Sequence, residues 1–320
     1  MAVTSPRILV FAYHDVGYEC LEVLIRRGSN IVGVFTHQDS PTENIWFKSV
    51  LALARMHAIP VHSPESVNTP DWINRIRALQ PEILFSFYYR NLICQEILEI
   101  PSLGAFNMHG SLLPRYRGRV PVNWAVLNGE TRTGATLHVM TRRPDAGDIV
   151  GQEEVAIGPF DTAQQVFVKV TAAAKRLLEK QIGSIESGTI HRQAQDETAA
   201  SYFGGRKPED GRIDWAQSAQ QVFNLVRAVT HPYPGAFTDL GGRRLYIWWA
   251  LPRPDKGQGA PGEVMSARPL TVGTGSGHLE VVTLQWQDDD EQPASAGTHG
   301  LRPGLRLGLP QAPSHPDTMN

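Results

Sequence analysis

The sequence predicts an α/β fold, a mostly parallel sheet followed by a small OB-like β-barrel C-terminal domain, on three observations. Ile8-Leu9-Val10-Phe11-Ala12, Ile31-Val32-Gly33-Val34-Phe35 and Ile83-Leu84-Phe85-Ser86-Phe87-Tyr88 are nearly unbroken apolar runs, the mark of strands covered on both faces. Segments with helical apolar spacing alternate with them, which gives parallel strands joined by right-handed crossovers. Past residue 205 the texture changes to short strands separated by glycines.

In chain order, the strand at 8–12 leads into a helix over Val16 to Arg27, with Leu21, Leu24 and Ile25 on one face and Gly28 as its stop. The strand at 31–35 is followed by a helix over Phe47 to His57. Leu92 to Leu98 is apolar at helical spacing between the strand at 83–88 and a strand at Gly104-Ala105-Phe106-Asn107-Met108-His109. Ala135, Leu137 and Val139 then alternate with Thr136, His138 and Met140, the pattern of an antiparallel or half-exposed strand, with Ile149 to Ala156 as its neighbour. A long helix runs from Thr162, its cap, to Gly183. After a boundary at 205/206, a helix over Ser218 to Val229 precedes strands at Arg243 to Ala250, Gly262 to Met265, Leu270 to Thr274 and Leu279 to Leu284. Gly241-Gly242 is a hairpin turn and Pro252 to Gly262 a flexible loop. The expected domains are 1–205, 206–287 and a partly disordered tail over 288–320.

Charge narrows the function. The 320 residues carry 30 Lys+Arg and 32 Asp+Glu. Residues 1–205 hold 19 basic and 20 acidic groups and residues 206–320 hold 11 and 12, so each half is near −1. A protein that grips a phosphate backbone is usually basic, so a nucleic-acid partner is not expected. Cys20 and Cys94 are isolated thiols outside any metal-ligand spacing, and no metal is expected. No apolar run reaches the length of a membrane span and no signal peptide opens the chain, so the expected location is cytoplasmic, with no membrane partner.

The turn after the first strand, Tyr13-His14-Asp15-Val16-Gly17, lacks the GxGxxG fingerprint, and GxxxxGK[ST], GxSxG and HExxH are absent as well. A nicotinamide oxidoreductase is thereby demoted. What is present is Asn107-Met108-His109-Gly110-Ser111-Leu112-Leu113-Pro114-Arg115-Tyr116-Arg117-Gly118-Arg119. Asn107 and His109 lie two apart in a strand and share a face. An amide donor beside an imidazole can hold an oxyanion while the ring moves a proton. A buried histidine with an asparagine neighbour is also an ordinary structural pair. Asp145, in Arg142-Arg143-Pro144-Asp145-Ala146-Gly147-Asp148, can either start its own turn or set a carboxylate against His109. Spacing alone leaves both readings open.

Asn107-x-His109-Gly-Ser-Leu-Leu-Pro-x-Tyr-Arg-Gly with Asp145-Ala-Gly-Asp148 resembles the folate-dependent formyltransferases over roughly the first 285 residues, including Ser201-Tyr202-Phe203, Ile213-Asp214-Trp215 and the Arg227…Pro232-x-Pro234-Gly235 corner. The resemblance implies a Rossmann-like catalytic domain, N10-formyltetrahydrofolate as co-substrate, and Asn107, His109 and Asp145 as catalytic residues. It also implies folate contacts at Asn91, Leu92, Ile93, Arg119, Thr141, Arg142, Arg143 and Pro144. Arg115 and Arg117 are candidates for a diphosphate or glutamate-tail contact, and Tyr13 and His14 for the acceptor side.

Within the family, Phe11-Ala12-Tyr13-His14-Asp15 and Phe85-Ser86-Phe87-Tyr88-Tyr89-Arg90 look like the UDP-4-amino-4-deoxy-L-arabinose branch, which implies a nucleotide-sugar acceptor in lipid A modification and polymyxin resistance. The loop from Gln38 to Phe47 lacks the basic residues of the methionyl-tRNA formyltransferases, the nearest alternative. A binding module without catalysis is the alternative of another class. The stretch after residue 285 is too short for the decarboxylase domain fused in the best-known arabinose enzymes. That activity is expected on a separate protein, or this chain is a fragment.

Overall fold

Ile8–Ala12 (β1) is buried at every position, as an unbroken apolar run requires when both faces of a strand are covered. The computed structural model describes residues 5–40, 44–253 and 259–308. Helix α1 (His14–Arg26) follows β1, starting two residues before Val16, and Gly28 ends it in the left-handed conformation. The crossover pattern continues with β2 (Ile31–Phe35), α2 (Val50–Met56), β3 (Val61–His62), α3 (Pro70–Ala78), β4 (Ile83–Phe87), α4 (Gln95–Leu98) and β5 (Gly104–His109). Helix α3 went unread in the sequence although Thr69, whose hydroxyl accepts from the Trp72 N–H, and Pro70 at the first turn both mark its start. The helices expected at 47–57 and 92–98 are shorter than their apolar spacing suggested. The aromatic Trp46 and Phe47 and the segment 91–94 take irregular backbone, capped by Ser49 and held by Asn68 respectively.

β1 pairs in parallel with β2 and β4, and β4 with β5. Beyond β6 (Arg117–Gly118) and α5 (Pro121–Leu127) come β7 (Arg132–Val139) and β8 (Ile149–Ala156), both antiparallel. The seven-stranded order is β3-β2-β1-β4-β5-β7-β8. β7 was expected to be antiparallel or half-exposed; it is antiparallel to both neighbours, and Thr133 to His138 are all buried. Its polar positions are consumed inside the sheet: the Thr136 hydroxyl donates to the Ser111 carbonyl at 2.6 Å and accepts from the Leu113 N–H. Helix α6 (Ala163–Glu186) begins on a reciprocal Thr162–Gln165 cap. β9 (Tyr202–Phe203) pairs in parallel with β6. A core of Leu9, Phe11, Phe35, Ile76, Leu84 and Ile97 lies on one face of the sheet.

The chain divides into two units. The first runs to Val122 and adds Thr131–Ile157 and Val166–Gly205; the second comprises Asn123–Glu130, Gly158–Gln165 and the chain from Arg206 on. In the second, α7 (Ala219–Val229), capped by Ser218, precedes an antiparallel sheet of β10 (Ala236–Leu240), β11 (Arg243–Arg253), β12 (Val264–Ala267), β13 (Leu270–Gly273), β14 (His278–Trp286) and β15 (Gln292–Pro293). The loop expected from Pro252 opens inside β11, and its residues 254–258 lie outside the described residues. Of the partly disordered tail expected over 288–320, residues 288–308 are described and seated on the C-terminal sheet. β15 adds to β14, Leu301 and Leu307 are buried, and the Leu307 N–H donates to the Gly262 carbonyl. The buried leucines lie ten and more residues beyond the acidic run at 288–291; residues 309–320 lie outside the described residues. No helix among the described residues is long and apolar enough to cross a membrane.

Candidate active site

β5 carries Asn107 and His109 to its C-terminal end on one face, and antiparallel β7 sets His138 opposite Asn107 and Thr136 opposite His109. His109 is 6% exposed and His138 2%. The His109 Nε2–H donates to the Tyr116 carbonyl at 2.8 Å, which fixes the ring and turns Nδ1 toward Asp145 Oδ1 at 3.5 Å. His138 mirrors it. Its Nδ1–H donates to the Val139 carbonyl at 2.9 Å, and its Nε2 lies 3.5 Å from the same Oδ1. With that tautomer, Nε2 of a neutral His138 accepts from the Asn107 amide at 3.1 Å. One of the two Asn107 N–H groups is thereby used, and the second is left for a ligand.

Asp145 comes from the turn between β7 and β8 and takes a left-handed backbone, φ 57°. Its Oδ2 accepts the Gly118 N–H at 2.8 Å. Gly118 has φ 101°, and a Cβ there would meet the Phe203 carbonyl oxygen at 2.2 Å, so a glycine is what lets this amide reach the carboxylate. Burial pushes the Asp145 carboxyl up, but His109, His138 and the Gly118 N–H pull it down further and hold it well below the usual carboxylate range. A carboxyl depressed by folding adds stability that is fully present above its unfolded value of about 3.9 and is lost as pH falls through the folded one. The stability gap between the parent protein and Asp145→Asn is therefore expected to persist from about pH 7 to about pH 5 and to close only below about pH 4. Urea melts across that range check this, and a gap already closed near pH 6 contradicts it.

The structure thus brings Asn107, His109 and Asp145 together, and adds His138, which the sequence reading passed over as one of the alternate residues of its strand. Its sequence signal was weak, a lone histidine at an alternate position of a strand, because its place beside Asn107 comes from the β5–β7 register. Of the two arrangements open for Asp145, the structure sets its carboxylate 3.5 Å from His109.

Arg117 is a correction. Its side chain is wholly buried rather than presented to a diphosphate or glutamate tail. Nε and Nη2 donate to Gln195 Oε1 at 3.1 and 2.7 Å, Nη1 and Nη2 reach the Glu197 carboxylate at 3.1 and 2.7 Å, and Nη1 also bonds the Tyr202 hydroxyl. All five guanidinium N–H groups are committed. Regular strand alternation would put Arg115, Arg117 and Arg119 on one side, but β6 is only two residues long and is flanked by left-handed backbone at Tyr116 (φ 59°) and Gly118 (φ 101°), so Arg117 is buried while Arg115 and Arg119 face solvent.

The other expected contacts are spread along the same unit. Thr141, Arg142, Arg143 and Pro144 are exposed, with Arg143 on Glu197 at 2.8 Å. Asn68 pins the 91–94 segment, donating to the Leu92 carbonyl at 2.8 Å and accepting the Cys94 N–H at 2.9 Å, so Leu92 presents an apolar side chain that is 72% exposed. Asn91 is exposed, whereas Ile93 packs partly against the core. Tyr13 is buried, its hydroxyl donating to Asp39 at 2.9 Å under the Arg90 guanidinium, and His14 stacks on Phe47 with ring centroids 4.0 Å apart. Both lie inside an aromatic cluster with His37, Trp46 and Phe167. Among the described residues, no group of three or more His, Cys, Asp and Glu side chains is arranged to hold a metal.

The family described as formyl transferase matches residues 7–182, and the formyl transferase C-terminal domain matches residues 206–302. Among solved structures, the chain is similar to HypX from Aquifex aeolicus in complex with tetrahydrofolic acid, at 19% identity over 94% of this chain and 49% of that one, TM-score 0.62. It is similar to the N-formyltransferase from Helicobacter canadensis with folinic acid and dTDP-3-aminofucose, at 19% identity over 86% and 98%, TM-score 0.63. A 4-N formyltransferase from Francisella tularensis matches at 21% identity over 76% and 96%, TM-score 0.63. The chain spans about half the length of the HypX structures it matches. At these identities the likeness shows a shared fold.

Proposed function

The chain belongs to the formyl transferase family, and from that premise we propose that it moves the formyl group of N10-formyltetrahydrofolate to the amine of a nucleotide-linked aminosugar, UDP-4-amino-4-deoxy-L-arabinose being the acceptor we favour. The observation that carries the reading is the convergence of Asn107, His109 and Asp145 at the end of β5.

In this reaction the amine nitrogen attacks the formyl carbon and a tetrahedral oxyanion forms. The spare Asn107 N–H donates to that oxygen. With Nε2 of His109 tied to the Tyr116 carbonyl, Nδ1 is the edge that takes the amine proton, and Asp145 beside it offsets the imidazolium charge. The same proton passes to the folate nitrogen as the bond from formyl carbon to N10 breaks. Charge, atoms and protons balance without a metal. Folate would lie against the exposed Leu92 and the 141–144 segment, and Tyr13 and His14 would line the acceptor side through their aromatic cluster.

A sugar acceptor is favoured over charged tRNA by the near-zero charge of both halves and by the similarity to an N-formyltransferase holding dTDP-3-aminofucose and to the sugar 3N-formyl transferase WlaRD. The test offers the purified protein the formyl donor with UDP- and dTDP-linked aminosugars and, in parallel, with methionyl initiator tRNA. The expected product is a formamide on a nucleotide sugar, read by mass spectrometry. Formylation of the tRNA alone, or folate binding without transfer to any amine, overturns the proposal.

A further inference from the structure

Asp145 sits in a left-handed turn, φ 57°, a conformation that aspartate tolerates but that leaves open what fixes the turn's position. Local bonds contribute little: the Thr141 hydroxyl donates to the Arg143 carbonyl and the Ala146 N–H reaches that carbonyl at 3.4 Å. The stronger grip comes from about fifty residues further along the chain. Gln195 Nε2 donates to the Asp145 carbonyl at 2.9 Å and to the Gly147 carbonyl at 2.7 Å, which uses both of its N–H groups. Its Oε1 accepts twice from the buried Arg117 guanidinium. Gln193, two residues earlier, is bridged to Ile149 by a pair of backbone hydrogen bonds, so the segment is seated beside the start of β8.

We infer that Gln195, braced on buried Arg117, is a positioning residue that fixes the Asp145 carboxylate by holding the backbone of its turn. Arg117 and Gly118 act on Asp145 from two sides. The Arg117 side chain reaches the Asp145 carbonyl through Gln195, and the next amide, Gly118 N–H, takes the carboxylate itself. Glu197 closes the frame by pairing with both Arg117 and Arg143, the latter two residues before Asp145. Only a carboxamide fits the middle of this strut, because it must accept on one end and donate twice on the other. A Cβ on Gly147 would meet the Val139 carbonyl oxygen at 1.9 Å, so the turn is also pressed against β7 and has little room to find another arrangement.

The kinetic part of the test rests on the formyl transfer proposed above, and its structural part does not. Gln195→Glu keeps the volume and both acceptors for Arg117, and turns the two donors into a carboxylate oxygen facing two carbonyls. Gln195→Met removes both sets of bonds at similar length. In full-length protein, either variant is expected to lower kcat about 10- to 100-fold with KM for both substrates within about twofold. The same change in an Asp145→Asn background is expected to add less than about twofold, since a residue acting only through Asp145 has nothing left to position. Independently of activity, hydrogen exchange at the Gly118 amide is expected to speed up about tenfold or more as its carboxylate partner drifts away. Unchanged kcat, losses that multiply in the double variant, or a Gly118 amide protected as in the parent overturns the inference. If the parent protein transfers no formyl group, the function fails while Gly118 exchange still decides the strut.

Discussion

Asn107→Ala and His109→Ala are expected to keep the fold and lose about 10²- to 10⁴-fold in kcat, with little change in KM. The two losses have different origins. Asn107 contributes a donor that matters only when the formyl oxygen becomes an oxyanion, and one such donor is worth about 10²- to 10³-fold in comparable sites. His109 contributes the proton's path, worth a similar or larger factor. Because both act in one step, the double variant is expected to fall little below the worse single one. The structural cost is small by comparison. Removing the His109 ring leaves the Tyr116 carbonyl with only a long 3.4 Å approach of the Ser111 hydroxyl, whose one proton is directed at the Arg115 carbonyl at 2.7 Å, so the loss should be about 1 to 3 kcal/mol. Steady-state kinetics with thermal melts on the same samples check this, and a collapse of stability that tracks the loss of activity would mean that the residues hold the sheet rather than the substrate.

Replacing Arg117 is expected to act in the opposite way, on stability first. Arg117→Met keeps much of the buried volume and deletes five hydrogen bonds, leaving the Gln195 carbonyl oxygen without its donors. Glu197 is half-exposed and keeps Arg143 as a partner, so the cost lies below that of a fully buried orphan charge, at about 3 kcal/mol. Arg117→Lys retains the charge but cannot make two forked contacts at once, and should recover less than about half of that. The measurement is the urea midpoint at constant m-value. Had Arg117 been an exposed anion contact, the signature would be a raised KM with an unchanged midpoint.

Much of the sheet and of the strand that carries Asn107 and His109 was legible because its signals are local. An unbroken apolar run needs cover on both faces wherever it lies, which marks β1, β2 and β4. Asn107 and His109 share a face by the pleat alone. What escaped depends on partners distant in sequence. His138 becomes part of the site only because β7 pairs antiparallel to β5 in the register that opposes it to Asn107. Arg117 points inward because Gln195 and Glu197, 78 and 80 residues later, wait there, and nothing in a run of alternate arginines distinguishes the buried one. The tail beyond Asp288 is ordered through 308 for the same reason, since its buried leucines have no local pattern and find their place on strands laid down earlier.

Asp145 divides its two oxygens unequally, Oδ2 to one backbone amide and Oδ1 to two imidazoles at the same distance. The site therefore has one counter-charge for two rings that could each become cationic. If His138 takes the proton, its Nε2 turns from acceptor to donor and the Asn107 amide loses its anchor, so the oxyanion donor is released at the moment the counter-charge is spent. If His109 takes it, Asn107 stays fixed. For the formyl transfer proposed above, the Asn107 amide keeps its anchor only when the proton goes to the ring on β5 and the ring on β7 stays neutral.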